Sequence, residues 1–297
     1  MKCEALHKQF VIAALSRNLN WIMNIHKKVG RSLAAVMFKI VEAKYSSGFR
    51  NMKFKRVLFF SCLALALISN RINAQRKKTD EKSLAGITFI ERKSSLQNNA
   101  PLIILLHGYG SDEKDLFSFS NNIPPEFLVL SLRAPKQIHQ TGYCWYDVNF
   151  SDSPPSFNEK QAEESMNKIV SFLSEAYKQY HFDNRKVFLL GFSQGAALSL
   201  SLSLQHPYLI KGAVILSGRE MKSFIPNYKS KEELKNLNLF ISHGTQDKVI
   251  PFSEGMKIDE SLTKLNVKHQ FKKYDMGHSI SEQTYSDFVN WFTQELH

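Results

Sequence analysis

Lys186-Val187-Phe188-Leu189-Leu190-Gly191-Phe192-Ser193-Gln194-Gly195, continued by Ala196-Ala197-Leu198-Ser199-Leu200-Ser201-Leu202, decides how this chain is read. An apolar run with β-branched and aromatic members breaks at Gly191 and resumes as a small-residue helical pattern. That order predicts a buried strand, a sharp turn and a helix, with Ser193 at the apex. A side chain presented on so tight a turn strains its own backbone, and glycines two residues to either side let strand and helix approach without a Cβ clash. The turn also aims helix N-terminal N–H groups, Gln194 N–H among them, at the space above the serine, where they suit a developing oxyanion.

The remainder of the chain alternates strand and helix around this turn. Upstream, Gly86 to Arg92 reads as an alternating strand and Leu102-Ile103-Ile104-Leu105-Leu106 as a central strand covered on both faces. The latter runs into the glycine-rich turn His107-Gly108-Tyr109-Gly110-Ser111-Asp112 and a helical stretch from Glu113 to Asn121. Phe127 to Leu132 is the next strand. Lys136 to Pro155 is then a long connection whose Trp145 and Tyr146, gathered with Tyr143 at a strand's C-terminal end, are read as a substrate-binding wall. Asn158 to Tyr180 is one amphipathic helix. Beyond the serine turn come strands at Ala213 to Leu216, Leu239 to Ser242 and Val267 to Tyr274, with helices at Ser253 to Leu265 and Ser281 to Leu296. Such alternation predicts an α/β fold with a mainly parallel sheet and helices on both faces. Ligands meet the carboxyl ends of strands in such sheets, and every loop singled out here leaves one.

A serine hydroxyl needs a base to take its proton, and the base needs an acid to hold its tautomer. Asp247 follows one late strand in His243-Gly244-Thr245-Gln246-Asp247, and His278 follows the last in Asp275-Met276-Gly277-His278-Ser279. Ser193, Asp247 and His278 therefore stand in the chain order of the α/β-hydrolase topology. Asp275 lies too near His278 in sequence to approach its far ring nitrogen, and Asp147 lies on the connection after an early strand. His107, a His-Gly at a strand end, is read as packing to hold its loop, with a catalytic base as the alternative; His243 shares that context, while His181, His206 and His269 fall at helix ends or on surface strands.

Taken together, His107-Gly108-Tyr109-Gly110, Gly191-Phe192-Ser193-Gln194-Gly195, His243-Gly244-Thr245-Gln246-Asp247 with Val249 and Pro251, and Gly277-His278-Ser279 resemble the phospholipase/carboxylesterase branch of the α/β-hydrolases, the group that includes acyl-protein thioesterases. The resemblance spans most of residues 85–297. It implies a serine hydrolase acting on a small-molecule ester or thioester through an acyl-enzyme, without metal or organic cofactor. It also implies an oxyanion hole made by the backbone N–H groups of Tyr109 and Gln194. Family members commonly carry leucine where this chain has Tyr109, a change that alters the acyl pocket and not the backbone donor. The connection Ser217 to Asn238 is short for a lid, so a minimal lid and an open site are expected. The alternatives are a peptidase or acyltransferase on the same fold, and a binding protein that keeps the fold without catalysis.

Charge and the N-terminal sequence bear on location. Of 297 residues, 43% are hydrophobic and the net charge is +12. Residues 1–74 hold 13 Lys/Arg against 2 Asp/Glu, leaving 26 against 25 in residues 75–297, so the globular part is nearly neutral and no nucleic-acid binding is expected. Met52-Lys53-Phe54-Lys55-Arg56, the apolar run Val57 to Ser69 and the polar end Asn70 to Ala74 have the order of a secretory signal peptide cleaved after Ala74. The alternative is an uncleaved anchor through residues 57–69. A signal peptide belongs at a chain's start, so translation is expected from Met52, with 1–51 an upstream prefix, 75–84 a flexible leader and 85–297 the catalytic domain, free of the membrane once cleaved. Of the three cysteines only Cys144 lies beyond residue 74, so no disulfide forms within the exported domain.

Overall fold

The computed structural model describes residues 81–152 and 155–296. The expected prefix 1–51, the signal peptide 52–74 and leader residues 75–80 lie outside the described residues.

Five all-apolar or nearly all-apolar runs form the middle of an eight-stranded sheet. In chain order the sheet's strands are β1 (Lys82–Leu84), β2 (Ile87–Arg92), β3 (Leu102–Leu106), β4 (Leu128–Leu132), β9 (Val187–Phe192), β10 (Gly212–Leu216), β11 (Asn238–Gly244) and β12 (Lys268–Tyr274). Their spatial order is β1-β2-β4-β3-β9-β10-β11-β12. Strands β3, β4 and β9 to β12 run parallel, while β2 is antiparallel to β4 and β1 to β2. Four short strands, β5 (Lys136–His139), β6 (Gly142–Cys144), β7 (Val148–Asn149) and β8 (Ser156–Phe157), form two small antiparallel pairs outside it.

Alternate residues of the central strands feed opposite cores, as a sheet with period two requires. Leu102, Ile104, Leu189, Ala213 and Ile241 meet α2 (Glu159–Tyr180), α3 (Gln194–Gln205) and α5 (Phe252–Lys264) on one face. Ile103, Leu105, Phe188, Val214 and Phe240 meet α1 (Lys114–Phe117) and α6 (Glu282–Glu295) on the other, where Trp291 and Phe292 pack edge-on against Phe188. The edge strand β12 is different in kind: Lys268, Gln270 and Lys273 are exposed, and among the described residues only β11 pairs with it.

Local chemistry sets the ends of the helices. Asn158 Oδ1 accepts from Gln161 N–H at 3.0 Å to start α2, and His181 closes it in the left-handed region at φ 49°. α3 is buried from Gln194 to Leu204, and its serines turn inward: Ser201 and Ser203 hydroxyls donate to the carbonyls four residues back at 2.9 and 2.7 Å.

Three expectations change. Residues 82–84, read as leader, pair with β2 as its edge strand: Leu84 packs on the core, Lys82 pairs with Glu91 at 2.6 Å and Ser83 faces water. The helix expected over Glu113 to Asn121 is reduced to α1 and a 3₁₀ turn at Ser120–Asn122, since serines, asparagines and the following Pro124-Pro125 disfavour continuation. The connection Lys136 to Pro155 contains strand pairs instead of irregular chain. The segment Ser217 to Asn238, with a 3₁₀ turn at Lys222–Asn227 and α4 (Lys231–Leu234), folds onto the body with Met221, Phe224, Leu234 and Leu237 in the core.

Both glycines of the serine turn are required by contact. A Cβ on Gly195 would overlap the Leu106 carbonyl oxygen, and one on Gly191 would overlap the Gly195 carbonyl oxygen and stand 2.5 Å from Ser199 Oγ. Gly195→Ala is therefore expected to lower unfolding free energy by about 3 kcal/mol or more in urea titrations. Gly277→Ala, whose nearest contact would be Gln246 O at 4.0 Å, should stay within about 0.5 kcal/mol.

Candidate active site

Ser193 follows β9 as the N-cap of α3, with φ 55° and ψ −113°, a backbone conformation that only a tightly determined turn sustains. Its N–H donates to Leu216 O of β10 at 2.9 Å, and its carbonyl accepts Ala197 N–H to begin α3. The side chain then projects at the C-terminal edge of the sheet.

His278 reaches it from the loop after β12. The Ser193 hydroxyl lies 2.9 Å from His278 Nε2, and His278 Nδ1 lies 2.7 Å from Asp247 Oδ2. Because a carboxylate only accepts, Nδ1 carries the proton and Nε2 presents its lone pair to the serine O–H. Asp247, from the loop after β11, has its other oxygen occupied: Oδ1 accepts Val249 N–H at 2.8 Å and Ile250 N–H at 2.9 Å. Its side chain is fully buried, so this division of acceptors fixes which way the carboxylate faces. Phe192 packs against the His278 ring at 4.9 Å between centroids. Gly244 leaves the passage open, since a Cβ there would overlap the carbonyls of Met276 and Gly277.

Four other histidines are engaged away from the serine. His243 is buried and donates from Nε2 to Ile250 O at 2.8 Å; burial lowers its pKa, partly opposed by that hydrogen bond and by Asp247. His107 is buried as well: Nδ1–H donates to Gly108 O at 2.7 Å and Nε2 accepts Ala134 N–H at 3.0 Å, tying the end of β3 to the end of β4. Burial again pushes its pKa down. His269 pairs with Asp259 at 3.0 Å, His206 contacts the Tyr208 hydroxyl at 3.1 Å, and Asp147 belongs to Lys136 and Gln161.

The Gly108–Gly110 turn stands beside the serine. A Cβ on Gly108 would lie 3.3 Å from Ser193 Cβ, and Gly110 takes φ 80° while its N–H donates to Tyr143 O at 2.8 Å. Among the described residues, neither Tyr109 N–H nor Gln194 N–H is engaged by another protein group. The next residue group anchors this turn: Glu113, fully buried, receives Arg133 Nε–H at 2.5 Å and Nη2–H at 2.7 Å, while Lys114 lies 3.0 Å away. Glu81 also pairs with Arg133 at 2.9 Å, and the guanidinium covers the Tyr143 ring.

Trp145 and Tyr146 are not a substrate wall. They are 1% and 3% exposed, and their backbone is clamped by one side chain: Trp145 N–H donates to Gln194 Oε1 at 3.1 Å, and Gln194 Nε2–H donates to Tyr146 O at 2.7 Å. Trp145 Nε1–H donates to His107 O at 2.9 Å. The pair thus braces the floor beneath the site. Exposed aromatic surface is supplied instead by Tyr109 and Phe150, whose rings meet edge to face at 5.4 Å. Phe150 lies in the Lys136 to Pro155 connection, where an exposed aromatic carries no periodic signal.

The strand order and a serine turn at the end of a central strand are those of an α/β-hydrolase. The chain belongs to the phospholipase/carboxylesterase family, whose model matches residues 86–296. It is 29% identical over 156 residues to acyl-protein thioesterase 1 of Debaryomyces hansenii, covering 51% of this chain and 67% of that one. It is also 29% identical over 158 residues to carboxylesterase SOBER1 of Arabidopsis thaliana, covering 51% and 68%. A carboxylesterase structure from Bacillus cereus superposes with a TM-score of 0.62 at 22% identity, over 70% of this chain and 94% of its own, a likeness of fold. The chain is an esterase-type hydrolase.

The Glu113 network carries a pH signature. Burial alone would raise the carboxyl, but hydrogen bonds from Arg133 and Lys114 outweigh it and hold the pKa at about 2, against an ordinary 4.5. A depressed carboxyl stabilises the fold above its unfolded pKa and ceases to do so as pH falls toward the folded value. The stability gap between wild type and Glu113→Gln should therefore be about 3 kcal/mol near neutrality. It should shrink toward zero between about pH 5 and pH 2 in urea titrations; a gap that does not change with pH would contradict this assignment.

Proposed function

We propose that this hydrolase cleaves carboxylic esters or thioesters through Ser193, His278 and Asp247 as a catalytic triad. The supporting observation is the continuous relay from the Ser193 hydroxyl to His278 Nε2 and from His278 Nδ1 to Asp247, at 2.9 and 2.7 Å. His278 takes the serine proton as Oγ attacks the carbonyl carbon, and Asp247 stabilises the imidazolium that results. The oxyanion forms beside the N–H groups of Tyr109 and Gln194, each contributing on the order of 10²–10³ in rate. His278 then returns the proton to the departing alcohol or thiol. Water, deprotonated by the same histidine, releases the acyl group from Ser193. The side chains of Tyr109 and Phe150 offer the acyl chain an apolar surface, and no cofactor enters any step.

A fluorophosphonate applied to the full chain is expected to label Ser193, as mapped by peptide mass spectrometry, and His278→Ala should abolish the adduct. Asp247→Asn should lower kcat by about 10⁴, since the imidazole loses its held tautomer. A folded wild-type protein that takes no label would overturn the triad and favour the non-catalytic binding reading.

The proposed setting is outside the cytoplasm, supported by the basic, apolar and polar succession of residues 52–74. Protein recovered from the native host's exported fraction should begin at Gln75 by N-terminal sequencing. Activity confined to the cytosol would contradict export without touching the chemistry.

A further inference from the structure

Four arginines lie among the described residues, and three are engaged. Arg92 donates to the carbonyls of Ile123, Pro124 and Phe127, Arg133 binds Glu113 and Glu81, and Arg185 binds Asp183. Arg219 differs from them: half-buried, it has among the described residues neither a hydrogen-bond acceptor nor a carboxylate within ion-pair distance. Its neighbour Glu220 is directed elsewhere, accepting from Ser261 Oγ at 2.9 Å.

The place of this open guanidinium matters. Arg219 follows the end of β10, three residues after the Leu216 carbonyl that holds Ser193 N–H. At Gly218 the chain touches the first turn of α3, since a Cβ there would stand 2.8 Å from Ala196 Cβ. From that position the guanidinium reaches the Phe157 ring, 5.7 Å from its centroid, and Phe157 packs on Tyr146 at 5.8 Å. Tyr146 is the residue whose carbonyl is bound by Gln194, next to Ser193. The cation thus faces an aromatic ring, has no acceptor for its N–H donors among the described residues, and follows the C-terminal end of β10, the strand beside the one that leads into Ser193.

We propose that Arg219 is a specificity-determining residue that binds a carboxylate carried by the substrate, so that the preferred esters are those of acids or alcohols bearing a second, ionised carboxyl group. This rests on the serine-hydrolase reading above. A guanidinium matches a carboxylate with two parallel hydrogen bonds, and partial burial beside Phe157 strengthens the pair relative to one in open water. A neutral acyl chain of equal length meets the same aromatic surfaces but leaves those donors unpaired.

The test compares mono(4-nitrophenyl) glutarate with 4-nitrophenyl pentanoate on the full chain. Arg219→Gln is expected to lower the ratio of the two kcat/KM values by about ten- to hundredfold, mainly through KM of the glutarate ester. Arg219→Lys should restore part of the ratio, and raising ionic strength should reduce it in the wild type only. A ratio unchanged by Arg219→Gln, including a parallel fall for both esters, overturns the proposal and leaves Arg219 as a prop for Phe157. Calorimetry of glutarate binding to Ser193→Ala separates this from failure of the hydrolase reading. Binding that Ser193→Ala shows and the Ser193→Ala/Arg219→Gln double variant loses supports the carboxylate site whatever the turnover, and absence of binding overturns it.

Discussion

The molecule depends on one crowded crossing, where β9 turns into α3 with no space for a side chain at Gly191 or Gly195. Gly195 lies against the Leu106 carbonyl, so the helix that begins after Ser193 is seated directly on the end of the neighbouring strand β3. This closeness holds Ser193 at φ 55° and sets the first N–H groups of α3 under the serine hydroxyl. The strain is sustained because the Ser193 N–H and C=O are both bound, to Leu216 and to Ala197. Loosening the crossing would relax the backbone and misplace the hydroxyl at once.

Two separate systems then fix the flanks of the serine. On the β11–β12 side, Asp247 spends one oxygen on its own loop and keeps the other for His278, so the loop's backbone decides the direction of the imidazole. On the β3–β4 side, orientation comes from buried ionic and polar anchors. Glu113 and Arg133 hold the loop's far end, His107 joins β3 to β4, and Gln194 clamps Trp145 and Tyr146 underneath. The first system is compact and local. The second joins segments distant in sequence, and its energy lies in burial of paired groups that are costly to separate.

That difference governs what could be read from the residues alone. The strand-turn-helix around Ser193 and the late Asp247 and His278 loops were legible because each is a short, self-contained pattern, and parallel topology brings strand ends together. His107 and His243 were correctly read as packing residues from their His-Gly context at strand ends. Trp145 and Tyr146 were misread because loop composition does not tell which way an aromatic side chain points. Their inward direction comes from Gln194 and His107, far along the chain. The short strands β5 to β8 lack an alternating stretch long enough to register. Arg219 carries no sequence signal, since an arginine is notable only once the described residues around it are found to offer it no ion-pair partner.

The lysine-bearing margin of the sheet has a consequence for how copies of this domain coexist. β12 pairs with β11 on one side, and an open strand is a template on which another chain can extend the sheet. Here Lys268 and Lys273 stand exposed along it, and Lys272 is tied to Asp287 of α6. A second β12 arriving edge to edge would bring like charges together and would have to shed their hydration. The exposed lysines thereby disfavour edge-to-edge pairing of two β12 strands.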